Sequence, residues 1–498
     1  MVLIYFAKIF LHIFWIWSVL LEVRYMNDLR SFIRECEKHG QLKTISSVVD
    51  WNMELSHIAK VNEEAGGSAL LFENVQGYSI PVLTSAFTTP SRMAIALGQP
   101  PHYSMARLAK EWMLLATKKL VPPTIVRDGP IMENIVSGDD VNLYDFPVPF
   151  FNALDGGRFI GTAVYLITKD PDSGWVNLGT YRMQVHDGKR CGVQMIKGKH
   201  GDLILRKYQQ RKEKMPAAAV IGGDPLLFLV GSSMIPFQVN EYDVVGALRG
   251  KAVEVLESDF SGLHLPSHAE IVLEGEIDPD DFINEGPFGE YTGYYSGEPT
   301  PKVFLNVKRI LHRNNPIFWA CVVGRPINDV CMIQSLNRTA SLWSDLEAMK
   351  IPGVKSVYIP ASSSGRFWAV VSVQQLYPGH SMQVGTAVIS TTTGSYGLKG
   401  VIIVEDDIAA DDWEQVLWSL SVRYDPLRST QIINRGRSTS LDPSLPIDSR
   451  QIVSRIIMDA CTPFEWKHKP MPVLLDPDTL ERIRNRWDDL QLGYEPKF

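Results

Sequence analysis

The chain has 498 residues, a formal net charge of −7 and a sequence pI of about 5.9. A chain of this length is longer than one hydrophobic core usually serves, so we expect two or three domains. With 45% hydrophobic and 21% charged residues its composition is globular, which excludes the disordered and fibrous classes, and without a strongly basic tract nucleic acid is not expected as a partner.

The first 25 residues differ from the rest because they are apolar almost throughout. Lys8 and His12 interrupt this run, no basic region precedes it, and no small-residue cleavage site follows it. We therefore interpret residues 1–25 as a non-native extension that results from a start codon assigned too far upstream. A membrane anchor and an ordered extra helix are the alternatives.

The next segment, residues 26–125, is predicted to mix helices and strands. Met26 resembles a natural start, because Asn27 is a suitable N-cap for a helix that would end at Gly40. The buried face of that helix is predicted to comprise Leu29, Phe32, Ile33 and Cys36. Apolar runs in "ALLFENV" and "IPVLTSAF" indicate buried strands, and residues 105–120 indicate a helix that two prolines end.

The five cysteines are far apart, are odd in number and form no CxxC pair. They are Cys36, Cys191, Cys321, Cys331 and Cys461. This pattern is typical of free thiols in a reducing compartment, and it favours neither a disulfide framework nor a zinc site. We therefore expect a cytoplasmic protein.

Residues 126–311 are predicted to be mostly strand, because apolar or alternating runs lie between Gly, Pro and Asp turns. So many short strands indicate a closed or split barrel. A linker is predicted at residues 312–330. Strands and helices alternate after it, which predicts an α/β domain at residues 331–475 and a C-terminal helix or tail at 476–498.

The stretch "NEGPFGEYTGYYSG", residues 284–297, places two glutamates five residues apart among glycines, a proline and tyrosines. A tight turn with two solvated carboxylates is one interpretation of this pattern. The other is a pair of carboxylates held for proton transfer, because burial among aromatic rings moves a carboxyl pKa toward neutrality. Glu285 and Glu290 are therefore candidate catalytic residues.

Asn177, His200 and Glu241 are candidate ligands of a divalent cation, because an amide oxygen, an imidazole nitrogen and a carboxylate suit Mn²⁺ or Mg²⁺. Spacing alone does not bring them together, and each could have an ordinary structural role; Asn240, for example, could cap a helix that includes Glu241. Arg182 lies five residues after Asn177 on the same predicted strand. It could form a surface salt bridge or hold a substrate carboxylate with two hydrogen bonds.

Several blocks, in this order, resemble the UbiD family of decarboxylases from Met26 almost to the end. They include "DLRSFIRECEKHGQL", "ALLFENVQGY", "NLGTYRMQV", "NEYDVVGALRG", "AEIVLEGEI", "EGPFGEYTGYY", "HRNNPIF" and "MDACTPF". The resemblance implies a multidomain α+β and α/β protein: an N-terminal α/β segment, a split β-barrel flavin-binding domain at 126–311, a helical linker and a C-terminal oligomerisation domain.

The resemblance also implies prenylated FMN as cofactor, with its phosphate bound through Mn²⁺ (or Mg²⁺) on Asn177, His200 and Glu241 and with K⁺ nearby. The implied catalytic set is Arg182, Glu285 and Glu290. The implied cofactor contacts are the three metal ligands together with Thr180, Tyr181, Arg182, Gln194, Met195, Ile196, Gly201, Ser232, Ser233, Met234 and Lys399, and Arg423 is another potential K⁺ contact.

The implied reaction is the reversible, non-oxidative decarboxylation of an aromatic, heteroaromatic or α,β-unsaturated acid. The substrate forms a covalent adduct with prenylated FMN, CO₂ leaves, and Glu290 reprotonates the carbon. Glu290 stands where the ubiquinone branch of the family typically has Asp. The stretches "YRMQV" and "HRNNPIF" resemble the degradative branch, which acts on small hydroxybenzoates or heteroaromatic acids. The resemblance therefore favours a small ring acid as the substrate. The implied partners are a flavin prenyltransferase, which supplies the cofactor, and further copies of the chain in a homodimer or homohexamer.

Three alternatives stay open at the level of the sequence. Within the family, the chain could be a 4-hydroxy-3-polyprenylbenzoate decarboxylase of ubiquinone biosynthesis. It could instead be a flavin oxidoreductase, although no GxGxxG motif follows a predicted strand. A non-catalytic flavin carrier is the third possibility, but the intact Arg-Glu-Glu set argues against it.

Overall fold

The computed structural model describes residues 26–116, 119–446 and 450–491, and for residues 115 and 116 it describes the backbone alone. The predicted extension at residues 1–25 and the last seven residues of the predicted C-terminal tail lie outside this part. Within the described residues no helix combines the length and the apolarity needed to cross a bilayer. The five cysteines are buried free thiols.

The N-terminal part begins with the predicted helix. Its elements are α1 (Leu29–Lys38), β1 (Leu42–Ile45), α2 (Glu54–Glu64), β2 (Ala69–Phe72), β3 (Val82–Thr84), α3 (Pro90–Ala96) and α4 (Met105–Ala116). The predicted apolar face of α1 is buried. The predicted cap is wrong by one residue, because Asp28 is the N-cap and its Oδ1 accepts a hydrogen bond from the Ser31 amide at 2.8 Å. Gly40 follows the helix with a φ of +64°, which glycine adopts without strain.

The central part is built on strands, as predicted. Its strands are β4 (Thr124–Ile125), β5 (Asn134–Ser137), β6 (Phe159–Gly161), β7 (Val164–Lys169), β8 (Val176–Gly179), β9 (Met183–Val185), β10 (Arg190–Val193), β11 (Met215–Ile221), β12 (Glu254–Glu257), β13 (His264–Pro266), β14 (Ile271–Ile277), β15 (Ile283–Glu285), β16 (Thr300–Lys302) and β17 (Phe304–His312). Nine of them form an antiparallel sheet in the order β6-β9-β10-β17-β14-β11-β7-β8, with β5 on β17. Strands β6 and β8 end this order without pairing to each other, so the barrel is split.

Three helices interrupt the central strands, and the sequence indicated only the last of them through its cap. They are α5 (His200–Arg211), α6 (Pro225–Gly231) and α7 (Glu241–Arg249). Asn240 is the N-cap of α7, where its side chain accepts a hydrogen bond from the Tyr242 amide at 3.0 Å. Strands β15 and β16 form a separate two-stranded sheet. Because β15 ends at Glu285 and β16 begins at Thr300, the loop that carries Glu290 lies between these two strands.

The C-terminal part has the predicted α/β character. Its elements, after a short strand β18 (Phe318–Trp319), are α8 (Asp329–Ala348), β19 (Val354–Tyr358), β20 (Trp368–Val373), α9 (His380–Ser390), β21 (Gly400–Glu405), α10 (Trp413–Val422), β22 (Thr430–Arg437), β23 (Ile452–Asp459) and α11 (Pro477–Arg484). Short 3₁₀ turns lie at Pro130–Met132, Gly138–Asp140, Leu143–Asp145, Ala361–Ser363 and Asp488–Leu490. The sheet order is β19-β20-β21-β23-β22, with parallel pairs at its centre and antiparallel pairs at both ends.

Strand β18 ties the parts of the chain together. It pairs in parallel with β3 and so becomes the fourth strand of the N-terminal sheet β1-β2-β3-β18, although it follows the central strands in the sequence. The multidomain α+β fold class is confirmed, while the predicted domain boundaries stay predictions. The 20-residue helix α8 then leads into the C-terminal sheet, and its Asn328 N-cap accepts a hydrogen bond from the Cys331 amide at 3.0 Å.

Candidate active site

A cavity of about 1120 Å³ opens between the central strands, helix α8 and the C-terminal part of the chain. The catalytic candidates Arg182, Glu285 and Glu290 all line it. The predicted cofactor contacts that line it are Thr180, Tyr181, Gln194, Met195, Ile196, Ser232 and Met234. The cavity therefore collects most of the candidate residues from segments that are far apart in sequence.

Arg182 lies between the two glutamates of the loop. Its Nε donates to Glu285 Oε1 at 2.7 Å and its Nη2 to Glu285 Oε2 at 2.9 Å, while its Nη1 donates to Glu290 Oε1. The guanidinium also lies over the Phe288 ring, with its Cζ 4.9 Å from the ring centroid. Glu285 is fully buried, so this two-bond pairing is what balances its charge. One cation thus fixes both carboxylates at the cavity wall.

The structure corrects the prediction that Asn177 and Arg182 share a strand. Asn177 lies in β8, which ends at Gly179, and Arg182 directly precedes β9. The chain leaves strand geometry between them, at Thr180–Arg182, and this break turns three consecutive residues toward the cavity. On one continuous strand, residues five apart would point to opposite faces.

Glu290 has the electrostatic surroundings of a proton donor. Burial raises the pKa of its carboxyl, the positive charge of Arg182 opposes that rise, and the negative charges of Glu285 and Asp155 add to it. A rise in this pKa is the direction that general-acid catalysis needs, because it favours the protonated carboxyl.

Asp155 and Gln184 hold the loop that carries Glu290. Asp155 Oδ1 accepts a hydrogen bond from the Gly289 amide at 2.8 Å, and Gln184 Oε1 accepts one from the Gly286 amide at 2.7 Å. Asp155 is buried, and burial raises the pKa of its own carboxyl. Neither residue was predicted. For Asp155 the sequence offered one signal, its position before two glycines in "LDGGRF". The loop is therefore anchored on both sides of Pro287.

The three candidate metal ligands do not line the cavity, but two of them contact residues that are close to the third, Asn177, in sequence. Glu241 Oε2 accepts a hydrogen bond from the amide of Leu178, the residue after Asn177, at 2.9 Å. The ring of His200 lies 5.2 Å from that of Trp175, on the other side of Asn177 in sequence. Asn177 and Glu241 are buried.

The donor set fits a divalent cation. Burial raises the pKa of Glu241 to about 8, so the carboxylate needs a nearby positive charge to be ionised at neutral pH. Burial, and then the charge of Lys199, lower the pKa of His200, which favours the neutral imidazole that binds metals. The residues of the cavity also fit a flavin: Gln194, one of the predicted contacts, has a buried Oε1 with no partner among the described residues.

Four other predicted contacts lie off the cavity wall. The Gly201 amide donates to Tyr181 Oη at 3.2 Å, and Ser233 Oγ donates to the Leu229 carbonyl at 2.8 Å. Lys399 Nζ donates to Asp442 Oδ1 at 2.7 Å and to Ser444 Oγ at 2.6 Å. Arg423 pairs with Asp407 and Glu405 in the C-terminal part. The structure does not bring Lys399 or Arg423 to the cavity.

The cavity also has basic residues that the sequence did not single out. They are Lys197, Lys199, Arg206, Lys302, Arg338 and Arg366. No local pattern marked Arg338 or Arg366, because polar and apolar residues are mixed around Arg338 in helix α8 and nothing in the sequence around Arg366 distinguishes it.

Comparison with known proteins places these features in a single family. Models of 3-octaprenyl-4-hydroxybenzoate carboxy-lyase (UbiD) match residues 33–112 (N-terminal domain), 124–326 (Rift-related domain) and 331–460 (C-terminal domain). Among solved structures, vanillic acid decarboxylase (ShVdcCD) of Sedimentibacter hydroxybenzoicus in open form, with truncated ShVdcD, is 30% identical, with a TM-score of 0.85 over 93% of this chain and 99% of that chain.

Two structures of another enzyme are also similar. The UbiD-class enzyme HmfF from Pelotomaculum thermopropionicum in complex with FMN is 28% identical, with a TM-score of 0.83 over 91% of this chain and 98% of that chain. An evolved dimeric form of HmfF in complex with prFMN is 26% identical, with a TM-score of 0.77 over 90% and 97%.

Proposed function

The chain belongs to the UbiD family of carboxy-lyases, and on that premise we propose that it decarboxylates a small aromatic, heteroaromatic or α,β-unsaturated acid with prenylated FMN as cofactor. The observation that carries the proposal is the buried contact of Arg182 with both Glu285 and Glu290 on the wall of a cavity large enough for a flavin and a small acid. The flavin complexes of HmfF support the same cofactor.

Each residue of this set has a separate task in the proposed reaction. Arg182 orients the carboxylate of the substrate, because its guanidinium faces the cavity and prefers planar anions. Prenylated FMN, when bound, supplies the electron sink that CO₂ loss requires and that no side chain offers. Glu290 then donates a proton to the substrate carbon. Glu285 keeps Arg182 in place and, through its charge, raises the pKa of Glu290.

The cofactor phosphate would be held by Mn²⁺ (or Mg²⁺) on Asn177, His200 and Glu241, with K⁺ beside Ser232, Ser233 and Met234. The buried carboxylate of Glu241 and the neutral imidazole of His200 support this assignment. Lys399 and Arg423 would need a rearrangement of their ion pairs to take part. A flavin prenyltransferase would supply the cofactor.

Self-association through the C-terminal part is also proposed. Helix α10 exposes an apolar face on this single chain, made of Trp413, Leu417, Trp418 and Val422, which are 46%, 56%, 44% and 60% exposed. Contiguous apolar patches of this kind mark interfaces more often than free surface. A homodimer or homohexamer would cover it.

The test of the proposed function is analysis of the bound cofactor. The protein would be produced together with a flavin prenyltransferase, purified with Mn²⁺ and studied by mass spectrometry and absorbance. We expect prenylated FMN in the sample and CO₂ release from at least one acid among furoate, pyrrole carboxylate, hydroxybenzoates and cinnamates. Folded, metal-supplied protein without flavin would contradict the proposal and favour a non-catalytic role.

Replacement of Glu241 by glutamine is expected to remove the metal and with it most of the flavin. The amide lacks the negative charge that balances a divalent cation. Loss of a residue that only supports a metal ligand already lowers metal affinity by about tenfold or more, so loss of the ligand itself should lower it by more than about tenfold. Elemental analysis and flavin absorbance per chain measure both effects. Asp243→Asn is the matched control, because Asp243 lies in the same first turn of α7. A Glu241→Gln protein with wild-type manganese and flavin would contradict the assignment.

Replacement of Asp155 by asparagine is expected to shift the descending limb of the pH–rate profile to lower pH. The negative charge of Asp155 helps to raise the pKa of Glu290, so its removal lowers that pKa, and a general acid loses its proton earlier as pH rises. Asparagine keeps an acceptor for the Gly289 amide. The control is Asp139→Asn, an exposed aspartate paired with Lys189. An unchanged profile in Asp155→Asn would show that Asp155 has no electrostatic effect on the proton donor.

A further inference from the structure

A histidine with a buried ring nitrogen lies beside the catalytic set but off the cavity wall. His186 directly follows β9, and Arg182 directly precedes it. Because alternate residues of an extended chain point to the same side, Arg182, Gln184 and His186 form a row. The first two members contact the glutamate-bearing loop, Arg182 at Glu285 and Gln184 at the Gly286 amide. The third member is therefore expected to face the same loop.

A gap at a glycine brings His186 to Glu285. Gly192 in β10 pairs with Gln184 in β9, so its missing side chain leaves a space on the face that carries this row. A Cβ at Gly192 would lie 3.0 Å from His186 Nε2 and 3.4 Å from Glu285 Cγ. The imidazole and the stem of the glutamate thus border the same small space.

The ring nitrogen at this space is unused. His186 Nε2 is buried and has no hydrogen-bond partner among the residues that the structure describes. Glu285 receives two hydrogen bonds from Arg182, at 2.7 and 2.9 Å, and a carboxylate can accept more than two. A protonated imidazole beside this anion would donate to it, and the two cations would then compete for one carboxylate.

The charge of His186 depends on the groups that face it. Burial lowers the pKa of His186, the negative charge of Glu285 opposes this effect, Arg190 adds to it, and Asp187 opposes it. Lys302 of β16 is coupled to the same glutamate. Since the pKa lies below the ordinary value of about 6.5, His186 is neutral at pH 8 and gains a proton on acidification.

We propose that His186 is a positioning residue for the reaction: in its neutral form it leaves Glu285 on Arg182, and in its protonated form it draws Glu285 away from Arg182. Arg182 then loses the anion that keeps it in place for the substrate carboxylate, so turnover falls. Protonation of His186 thereby sets the acid limb of the pH–rate profile. This inference rests on the proposed function, because it assumes that Arg182 orients an acid.

The first test is the pKa of His186 in the flavin-loaded enzyme, from hydrogen–deuterium exchange at the imidazole Cε1 read by mass spectrometry. Glu285→Gln should lower this pKa, because the anion that favours the imidazolium is then absent. Glu257→Gln is the matched control. It should lower the pKa of His264, where burial and Lys169 lower the pKa and Glu257 opposes them, and it should leave that of His186 unchanged. An equal pKa of His186 in wild type and Glu285→Gln would overturn the inference.

The second test is the pH–rate profile, with each protein normalised to its own rate at pH 8. A limb set by one ionisation changes about tenfold per pH unit, so His186→Gln should keep on the order of tenfold more of its rate at pH 5 than wild type does. His186→Lys places a permanent cation beside Glu285 and should be about tenfold slower than His186→Gln at pH 8. His264→Gln, at another histidine with a buried unpartnered ring nitrogen, should keep the wild-type limb.

The possible failures are distinguishable when manganese and flavin per chain are measured at each pH. An acid limb at the same pH in His186→Gln and wild type, with manganese retained, would overturn the inference and leave the decarboxylase proposal intact. A limb that follows the loss of manganese would assign it to protonation of His200 and also overturn the inference. Flavin-loaded wild-type enzyme that releases CO₂ from none of the acids would instead contradict the proposed function, and the pKa of His186 would still test its coupling to Glu285.

Discussion

Replacement of Glu290 by glutamine is expected to lower decarboxylation by about 10²–10⁴-fold, the usual contribution of a positioned proton donor. Glutamine keeps the size of the side chain and can still contact Arg182, but its amide does not donate a proton to carbon. The cofactor should be retained, because the structure describes no contact of Glu290 with Asn177, His200 or Glu241, the residues proposed to hold the cofactor phosphate. The measurements are steady-state CO₂ release and flavin absorbance per chain on the same preparation.

The control for Glu290→Gln is Glu257→Gln, an exposed glutamate at the end of β12. It should have wild-type activity, which would show that the loss of one acidic charge away from the cavity does not lower decarboxylation. Wild-type turnover in Glu290→Gln would mean that another group delivers the proton. Loss of flavin in this variant would mean that Glu290 has a structural rather than a chemical role.

Much of the fold could be predicted from the spacing of apolar residues, because a helix or strand that buries one face repeats apolar residues with its own period. The α1 face is predicted by apolar residues three and four apart, and the strands β11, β14 and β17 by apolar or alternating runs. Helix α6, "PLLFLVG", was not predicted: it is buried on all sides, so its sequence has no polar face to reveal a helical period. Strand β22 was not predicted either. It is a mostly exposed edge strand with several polar residues, so its sequence lacks the apolar run that indicates a buried strand.

The candidate site was predictable only in part, because its contacts are long-range. Arg182 is separated from Glu285 by 103 residues and from Glu290 by 108, and no local pattern gives such a pairing. Only the resemblance to a known family grouped these three residues. The resemblance did not mark the residues that hold the loop of this set, Asp155 and Gln184, because their roles depend on what they contact in the folded chain.

Replacement of Arg182 by methionine is expected to be the most damaging single change at the site. It leaves Glu285 and Glu290 buried without a cation, and breaking a buried ion pair from one side costs about 3–5 kcal/mol. For a domain of roughly 200 residues this lowers the thermal midpoint by roughly 10 °C. Decarboxylation should also be lost, because Arg182 is the group proposed to orient the substrate carboxylate.

The stability loss in Arg182→Met should depend on pH with a definite sign. The folded-state pKa of Glu290 is already raised by burial, and removal of the opposing charge of Arg182 raises it further. Above the unfolded pKa of about 4.3 the native state then holds more protons than the unfolded chain, so stability falls as pH rises. The difference in midpoint from wild type should therefore be larger at pH 8 than at pH 5. A difference that is the same at both pH values would contradict this account.

A triple variant separates the structural from the chemical part of this effect. Addition of Glu285→Gln and Glu290→Gln to Arg182→Met removes the uncompensated charges, so most of the lost stability at pH 8 should return. Activity should not return, because both the carboxylate-binding cation and the proton donor are then absent. Arg190→Met, which breaks a half-exposed pair with Asp187, is the control and should change stability by no more than about 1 kcal/mol. If the triple variant were as unstable as Arg182→Met, packing of the arginine stem, rather than charge balance, would be what stabilises this wall of the cavity.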